Sequence, residues 1–244
     1  MNSGYYAACA GLVARTEALD IAANNLANIN TTAFRGQDGL FRSLVADSQG
    51  LPTSSLNEAI NDYGVVGGTY INVTAGHLER TDNSLDFGLE GQGFFAVQTP
   101  AGVRYTRNGS FQVDKNGTLL TADSNPVLGQ QGPIRLPSGP VSVSDDGTIS
   151  VAGAVVAKLQ LADIDPQALT AEGNTYFQAP ASAVTPATTT QVRQGMLEGS
   201  NVEPVSAMVG LIEVQRHADL LQRTLRIFSS DFDSTAVQAL PRVS

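Results

Sequence analysis

The chain has 244 residues, 42% of them hydrophobic and 15% charged, with a formal net charge of −9; this is enough apolar material for at least one sizeable core, in one domain or two. The acidic balance and the lack of clustered Lys and Arg argue against a sequence-independent grip on nucleic acid or on an anionic membrane. A single cysteine, Cys9, excludes an intramolecular disulfide, and the two histidines, His77 and His217, have no ligand-type spacing around them, so structural zinc is not expected.

The opening MNSGYYAACAGLVART lacks the basic start and long apolar stretch of a secretory signal, and no apolar run approaches the length of a bilayer. Composition alone therefore predicts a protein that stays in the cytosol. From Tyr5 onward, apolar residues recur at Ala8, Leu12, Leu19, Ala22, Leu26 and Ile29, in steps of three and four interrupted by Arg15, which predicts a helix with a coiled-coil-like stripe within residues 1–45. The same stretch carries four asparagines, poor helix formers. Asn24, Asn25 and Asn28 flank the stripe, where amides can make polar contacts to neighbouring subunits without bringing charge, whereas Asn30 with Thr31 and Thr32 ends the helix or turns the chain outward.

Residues 46–82, rich in Gly, Ser and Thr, read as an extended connector. A β domain follows over 83–178. FQVDKNGTLL and VSVSDDGTISV place apolar alternation around Asn-Gly and Asp-Gly turns, with Val141 and Val143 answered by Ile149 and Val151 on one face. Phe94, Phe95 and Val97 precede these hairpins, and VVAKLQLADI continues with strand-like alternation up to Asp165-Pro166. A second connector covers 179–199. Over 200–244 the helical pattern returns, with Ala207, Leu211, Val214, Ala218, Leu221, Leu225, Phe228 and Phe232 on successive a and d positions, Asn201 or Glu203 at the start and Pro204 in the first turn. The expected fold is α+β: paired N- and C-terminal coiled-coil-like helices flanking a central all-β domain of hairpins. Pairing the helices would leave Val205, Met208, Val209, Ile212 and Ile227 apolar and outward, which implies neighbouring copies.

No constellation for chemistry stands out. The runs GLEGQGFF and GVVGGT do not sit between a strand and a helix and have no P-loop lysine. His77 has only Glu79 as a nearby acid, Cys9 has no basic neighbour, and Asp145, Asp146, Asp163 and Asp165 fall at turns where aspartate binds its own backbone. No catalytic residue, cofactor site or metal site is assigned, and an enzyme is not expected.

LDIAANNLANINTTAFRG, Leu19 to Gly36, resembles the N-terminal signature of the flagellar rod and hook proteins. The segment from Asn83 to Ile134 is similar to the central domain of rod proteins, and Gly195 to Leu225 is similar to the C-terminal signature. The chain departs from the pattern at Ala33, where glycine is frequent, at Arg35, where lysine is frequent, and in QRHADLLQRTLRIF, which lacks the QRAY pattern of distal-rod relatives. Its length and C-terminal segment are more similar to proximal than to distal rod proteins. The resemblance implies a structural subunit of the bacterial flagellar basal body, whose terminal helices form an inner tube and whose copies assemble helically into the torque-transmitting rod. The assembly seam would then be Leu12, Leu19, Leu26 and Ile29 with Leu211, Val214, Leu221, Leu225 and Phe228. It further implies passage through the flagellar type III export apparatus into the periplasm without a cleaved signal, which replaces the cytosolic expectation. The implied partners are other copies, other rod subunits and that apparatus, with no nucleic acid and no small-molecule substrate. A secreted, non-catalytic binding module built on the β domain is the alternative of a different class.

Overall fold

The computed structural model describes residues 2–42, 65–173 and 175–239, with side-chain surroundings for 9–39, 69–173 and 175–227. Helix α1 spans Asn2–Ala27 and helix α2 spans Pro204–Ala239, with a β-rich region between them, so the α+β class expected from periodicity is found. Pro204 opens α2 at the position where its missing N–H costs no helical hydrogen bond. The chain leaves α1 through a turn in which the Thr31 N–H donates to the Asn28 carbonyl at 3.0 Å and the Thr31 hydroxyl donates to Asn28 Oδ1 at 3.1 Å. Asn30 and the two threonines after it thus sit in the exit turn, as their turn chemistry suggests.

Two compact units divide the chain. The helical unit comprises Met1–Leu26, Gln37–Tyr70 and Pro204–Ser244. In it β1 (Gln37–Arg42) pairs with β2 (Val65–Ile71). The β unit comprises Ala27–Gly36 and Ile71–Glu203, and is therefore wider than the stretch 83–178 read from local pattern.

In the β unit, β3 (Leu78–Arg80), β4 (Phe87–Glu90), β5 (Phe94–Thr99), β6 (Gly102–Thr106), β7 (Phe111–Val113), β8 (Leu119–Thr121), β9 (Leu128–Gly129) and β10 (Gly132–Pro133) lead into β11 (Val141–Val143), β12 (Thr148–Val151), β13 (Ala154–Lys158) and β14 (Leu161–Ile164). The remaining strands are β15 (Thr170–Glu172), β16 (Tyr176–Gln178), β17 (Val184–Pro186), β18 (Gln191–Gln194) and β19 (Met196–Glu198). An antiparallel six-stranded sheet runs β15-β16-β6-β5-β14-β17, beside a three-stranded sheet β11-β12-β13.

Both expected hairpins form: Val141 faces Val151, Val143 faces Ile149, and Phe111 and Val113 face Thr121 and Leu119. At the second turn Asp114 Oδ1 accepts the N–H groups of Asn116 and Thr118 at 2.9 and 2.7 Å, and these bonds hold its carboxyl below the usual carboxylate range, Thr118 contributing most. Gly117 completes the turn at φ +80°, where an added Cβ would also lie 2.4 Å from the Leu136 carbonyl. The continuous apolar run Phe94–Val97 has a simple cause: β5 is covered on both faces. Phe95 and Val97 enter one core with Phe87, Phe111 and Ile149, while Phe94 and Ala96 enter a second with Tyr105, Ile164 and Phe177. Edge-to-face ring pairs, Phe95 with Phe111 at 5.2 Å and Phe94 with Phe177 at 5.5 Å, lie one in each core.

The two expected connectors contain strands. Residues 46–64 lie outside the described residues, but 65–82 supplies β2 and β3, and 179–199 supplies β17, β18 and β19. Strand β18 pairs with β4 and β19 with β3, both antiparallel and both across more than a hundred residues of chain. Pairings of that range leave no trace in local periodicity.

Candidate functional site

Among the described residues the most buried charges lie in the β unit, around the tail of the N-terminal signature. Residues 33–36 are all buried there. Ala33 adopts φ +57°, a left-handed conformation that glycine reaches without a Cβ penalty. That bend lets the Ala33 N–H donate to the Glu198 carbonyl at 2.7 Å, and lets the Phe34 carbonyl accept the Asn201 N–H at 3.3 Å.

Glu198 is the centre of the arrangement. Its Oε1 accepts from Arg35 Nη2 at 2.6 Å and from the Gly76 N–H at 2.7 Å, and its Oε2 accepts from Arg107 Nε at 2.7 Å. The three side chains are 1, 3 and 0% exposed for Arg35, Arg107 and Glu198. Two cations around one anion leave an excess of buried positive charge, and backbone carbonyl dipoles take it up: Arg107 donates to the carbonyls of Leu89, Gly91 and Gly93 at 3.1, 2.8 and 2.7 Å, and Arg35 Nη1 donates to Thr74. Burial pulls the Arg35 guanidinium below its usual pKa; Glu198 opposes that fall and Arg107, a like charge, adds to it. Arg35 Nε has no hydrogen-bond partner, although its two other nitrogens are spent on Thr74 and Glu198. Serving two acceptors in different directions needs a fork of donors, so arginine at this position does what the point charge of a lysine cannot.

Asn201 completes the junction. Its Oδ1 accepts the Gly36 N–H at 2.8 Å, and its Nδ2 donates to the carbonyls of Asn72 and Thr74 at 2.8 and 3.0 Å. The chain just after α1 and the chain just before α2 are thus tied to each other and to residues 72–76. Buried donors and acceptors satisfied in this way hold one geometry, because any displacement leaves a polar group unpaired.

The three asparagines assigned to contacts between subunits lie at the end of α1 and in the turn that follows it. Asn25 Nδ2 donates to the Gln37 carbonyl at 2.8 Å and its Oδ1 accepts the Gln37 N–H at 2.9 Å, so the amide pairs with that backbone as a neighbouring strand would. Asn28 is buried and bonded to Thr31, and Asn24 is exposed. Along α2, Leu221 is buried, Leu211, Val214 and Leu225 are half-buried, and the residues between them are mostly exposed. Phe228 lies on α2 beyond the residues whose side chains are described. On α1, Leu12, Leu19 and Leu26 are half-buried, and Ile29, expected on the same helix, lies in the turn beyond its end and is also half-buried; the most covered of the described α1 residues are the small ones, Gly11, Ala14 and Ala18. The covered line is therefore centred slightly to one side of the leucines. Val205, Met208, Val209, Ile212, Leu220 and Ile227 stand between 48 and 65% exposed on α2.

His77 pairs with Glu79 at 2.6 Å on open surface, and Cys9 is half-buried on α1. Asp146 and Asp165 act at turns, accepting from Thr148 and Gln167. Among the described residues no group of His, Cys, Asp or Glu could hold a metal ion, and no helix is long and apolar enough to cross a membrane. Arg107 and Glu198 escape a reading by motif. For Glu198 the available signal is one charge at a strand position in otherwise apolar or small surroundings, MLEG, where alternation alone suggests an exposed residue.

Three family models match the chain: "Flagella basal body rod protein" over residues 6–35, "Flagellar hook protein FlgE/F/G D1 domain" over 88–151 and "Flagellar basal body rod FlgEFG protein C-terminal" over 193–217. Each matched segment supplies one member of the buried cluster: Arg35, Arg107 and Glu198 respectively. The flagellar basal-body rod protein FlgF of Caulobacter vibrioides is 34% identical over the whole of both chains. That of Escherichia coli is 34% identical over 84% of this chain and 85% of its own. The rod protein FlgG of Buchnera aphidicola from Acyrthosiphon pisum is 30% identical over 96% of this chain and 95% of its own.

Proposed function

The chain belongs to the flagellar basal-body rod protein family and is a structural, non-catalytic rod subunit of the basal body; from that premise we propose that it polymerises helically through α1 and α2 to form part of the proximal, torque-transmitting rod. The single observation that carries this reading is the split face of α2. Among its described a and d positions Ala218 and Leu221 are buried and Ala207, Leu211, Val214 and Leu225 half-buried, while Val205, Met208, Val209, Ile212, Leu220 and Ile227 remain open. An open apolar stripe beside a covered one is what a helix shows when it has one partner and awaits others.

In this reading α1 and α2 pair as a coiled coil along Leu12, Leu19, Leu26, Ile29, Leu211, Val214, Leu221, Leu225 and Phe228, with Gly11, Ala14 and Ala18 permitting close approach. The open residues of α2 meet other copies and other rod subunits, and the exposed Asn24 of α1 joins them. The β unit enters the assembly as a preformed block. The subunit reaches the periplasm through the flagellar type III export apparatus with its N-terminus uncleaved. A distal position in the rod is the second reading, favoured by the match to FlgG over nearly the whole chain. Localising the protein in purified basal bodies tests both: the proximal reading expects it next to the inner-membrane ring, and a position only at the outer end of the rod would select the distal one.

A further inference from the structure

The members of the buried cluster come from remote parts of the chain, Arg35 lying 163 residues and Arg107 lying 91 residues from Glu198. Contacts of that span close long loops and come with a correspondingly large loss of chain entropy. They also require three charges to leave water, which is tolerable only when all three are together. Arg107 differs from the other two. Its carbonyl partners, Leu89, Gly91 and Gly93, lie 14 to 18 residues away, on or beside β4 and β5, so its platform can form from local chain. The joining surfaces are also built for close approach without side chains: a Cβ on Gly76 would lie 2.2 Å from the Gly199 carbonyl.

We propose that Arg35, Glu198 and the Gly76–Gly199 contact form a latch that closes last, onto a preformed Arg107 platform, and that closes and opens as one unit. Docking of residues 33–36, of the backbone at 74–76 and of β19 is then a single step. An open latch releases the segment after α1 and the segment before α2 together, while the six-stranded sheet stays intact. The inference stands on the geometry of the β unit, so it can fail without the rod reading failing, and the reverse.

Native-state hydrogen exchange on the full-length monomer tests it, following the amides of Ala33, Gly36, Gly76, Gly199 and Asn201, each of which donates across the latch, against Ala96 and Gln98 in β5. The five latch amides should open at one common rate in the wild type. Arg35→Met, Gly76→Ala and Glu198→Gln should each accelerate all five by a common factor of at least about tenfold, leaving Ala96 and Gln98 at their wild-type rates. Arg35→Lys, which keeps the charge, should recover part of the protection. In stopped-flow experiments the same variants should speed unfolding and leave the folding rate unchanged, as for contacts formed after the transition state. Loss confined to Ala33 and Gly36 in Arg35→Met would overturn the proposal. So would parallel loss at Ala96 and Gln98, or a failure of both Arg35→Met and Glu198→Gln to fold, since each would make the cluster an inseparable part of the core.

Discussion

The β unit and the helical unit spend their polar and apolar groups in opposite ways. In the β unit the aromatic side chains of β4 and β5 are closed into two cores, and buried arginines are bonded to carboxylate and carbonyl oxygens of the same unit. On α2 six large apolar residues among those with described side chains stay open to solvent. A unit that satisfies its own groups needs no neighbour, whereas a long helix with an uncovered stripe gains its remaining stability from contacts it has yet to make. The difference teaches that one chain can carry a finished block and an unfinished one, and that the unfinished block is where assembly acts.

The comparison breaks most visibly if the two units are damaged separately. Phe95→Ala removes a fully buried ring between Phe111 and the sheet and should destabilise the β unit by about 3–5 kcal/mol, read from its denaturant midpoint. Leu221→Asp should abolish polymerisation and swimming while leaving the β-unit midpoint within about 0.5 kcal/mol of wild type. A smaller effect is expected at Asn25→Ala, which strands the N–H and carbonyl of Gln37; about 1–3 kcal/mol of local stability should be lost, seen in assembled rods as faster exchange of the Gln37 amide. Ala33→Gly relieves a left-handed alanine but loosens the unfolded chain, so the net change in stability should stay within about 1 kcal/mol.

The smallest effect concerns acid. Asp146 accepts from Lys158 Nζ at 2.9 Å and from Thr148, and these bonds hold its carboxyl at about 2 against an ordinary 3.8. A carboxyl depressed on folding stabilises the folded form above its unfolded pKa, and that contribution disappears as the pH falls from 3.8 through about 2. Asp146→Asn should therefore flatten the acid limb of the β-unit stability profile in that window, and only slightly, because the pair is exposed.

Local pattern carried the elements whose cause is local. The 3.6-residue period gives both helices, Pro204 gives the start of α2, and alternation around Asn-Gly and Asp-Gly gives the two hairpins with their facing valines. What stayed illegible depends on distant partners. Strands β18 and β19 are short and irregular in composition and exist because β4 and β3 offer them edges. The asparagine-rich tail reads as a subunit surface from its place beside the helical stripe, yet Asn25 and Asn28 bond within their own chain. Arg107 and Glu198 look like ordinary surface charges until the fold brings them to Arg35. The departures from the family pattern at Ala33 and Arg35 were legible as departures, but their meaning needed a dihedral angle and a second acceptor.

The central claim, a closed β unit carrying helices completed by assembly, is tested most directly by comparing hydrogen exchange of full-length monomer and of assembled rods. The account predicts that in the monomer residues 27–36 and 71–203 are protected, while α1 up to Leu26 and α2 exchange fast and become protected only in the rod. Helices as protected in dilute monomer as in the rod would contradict it.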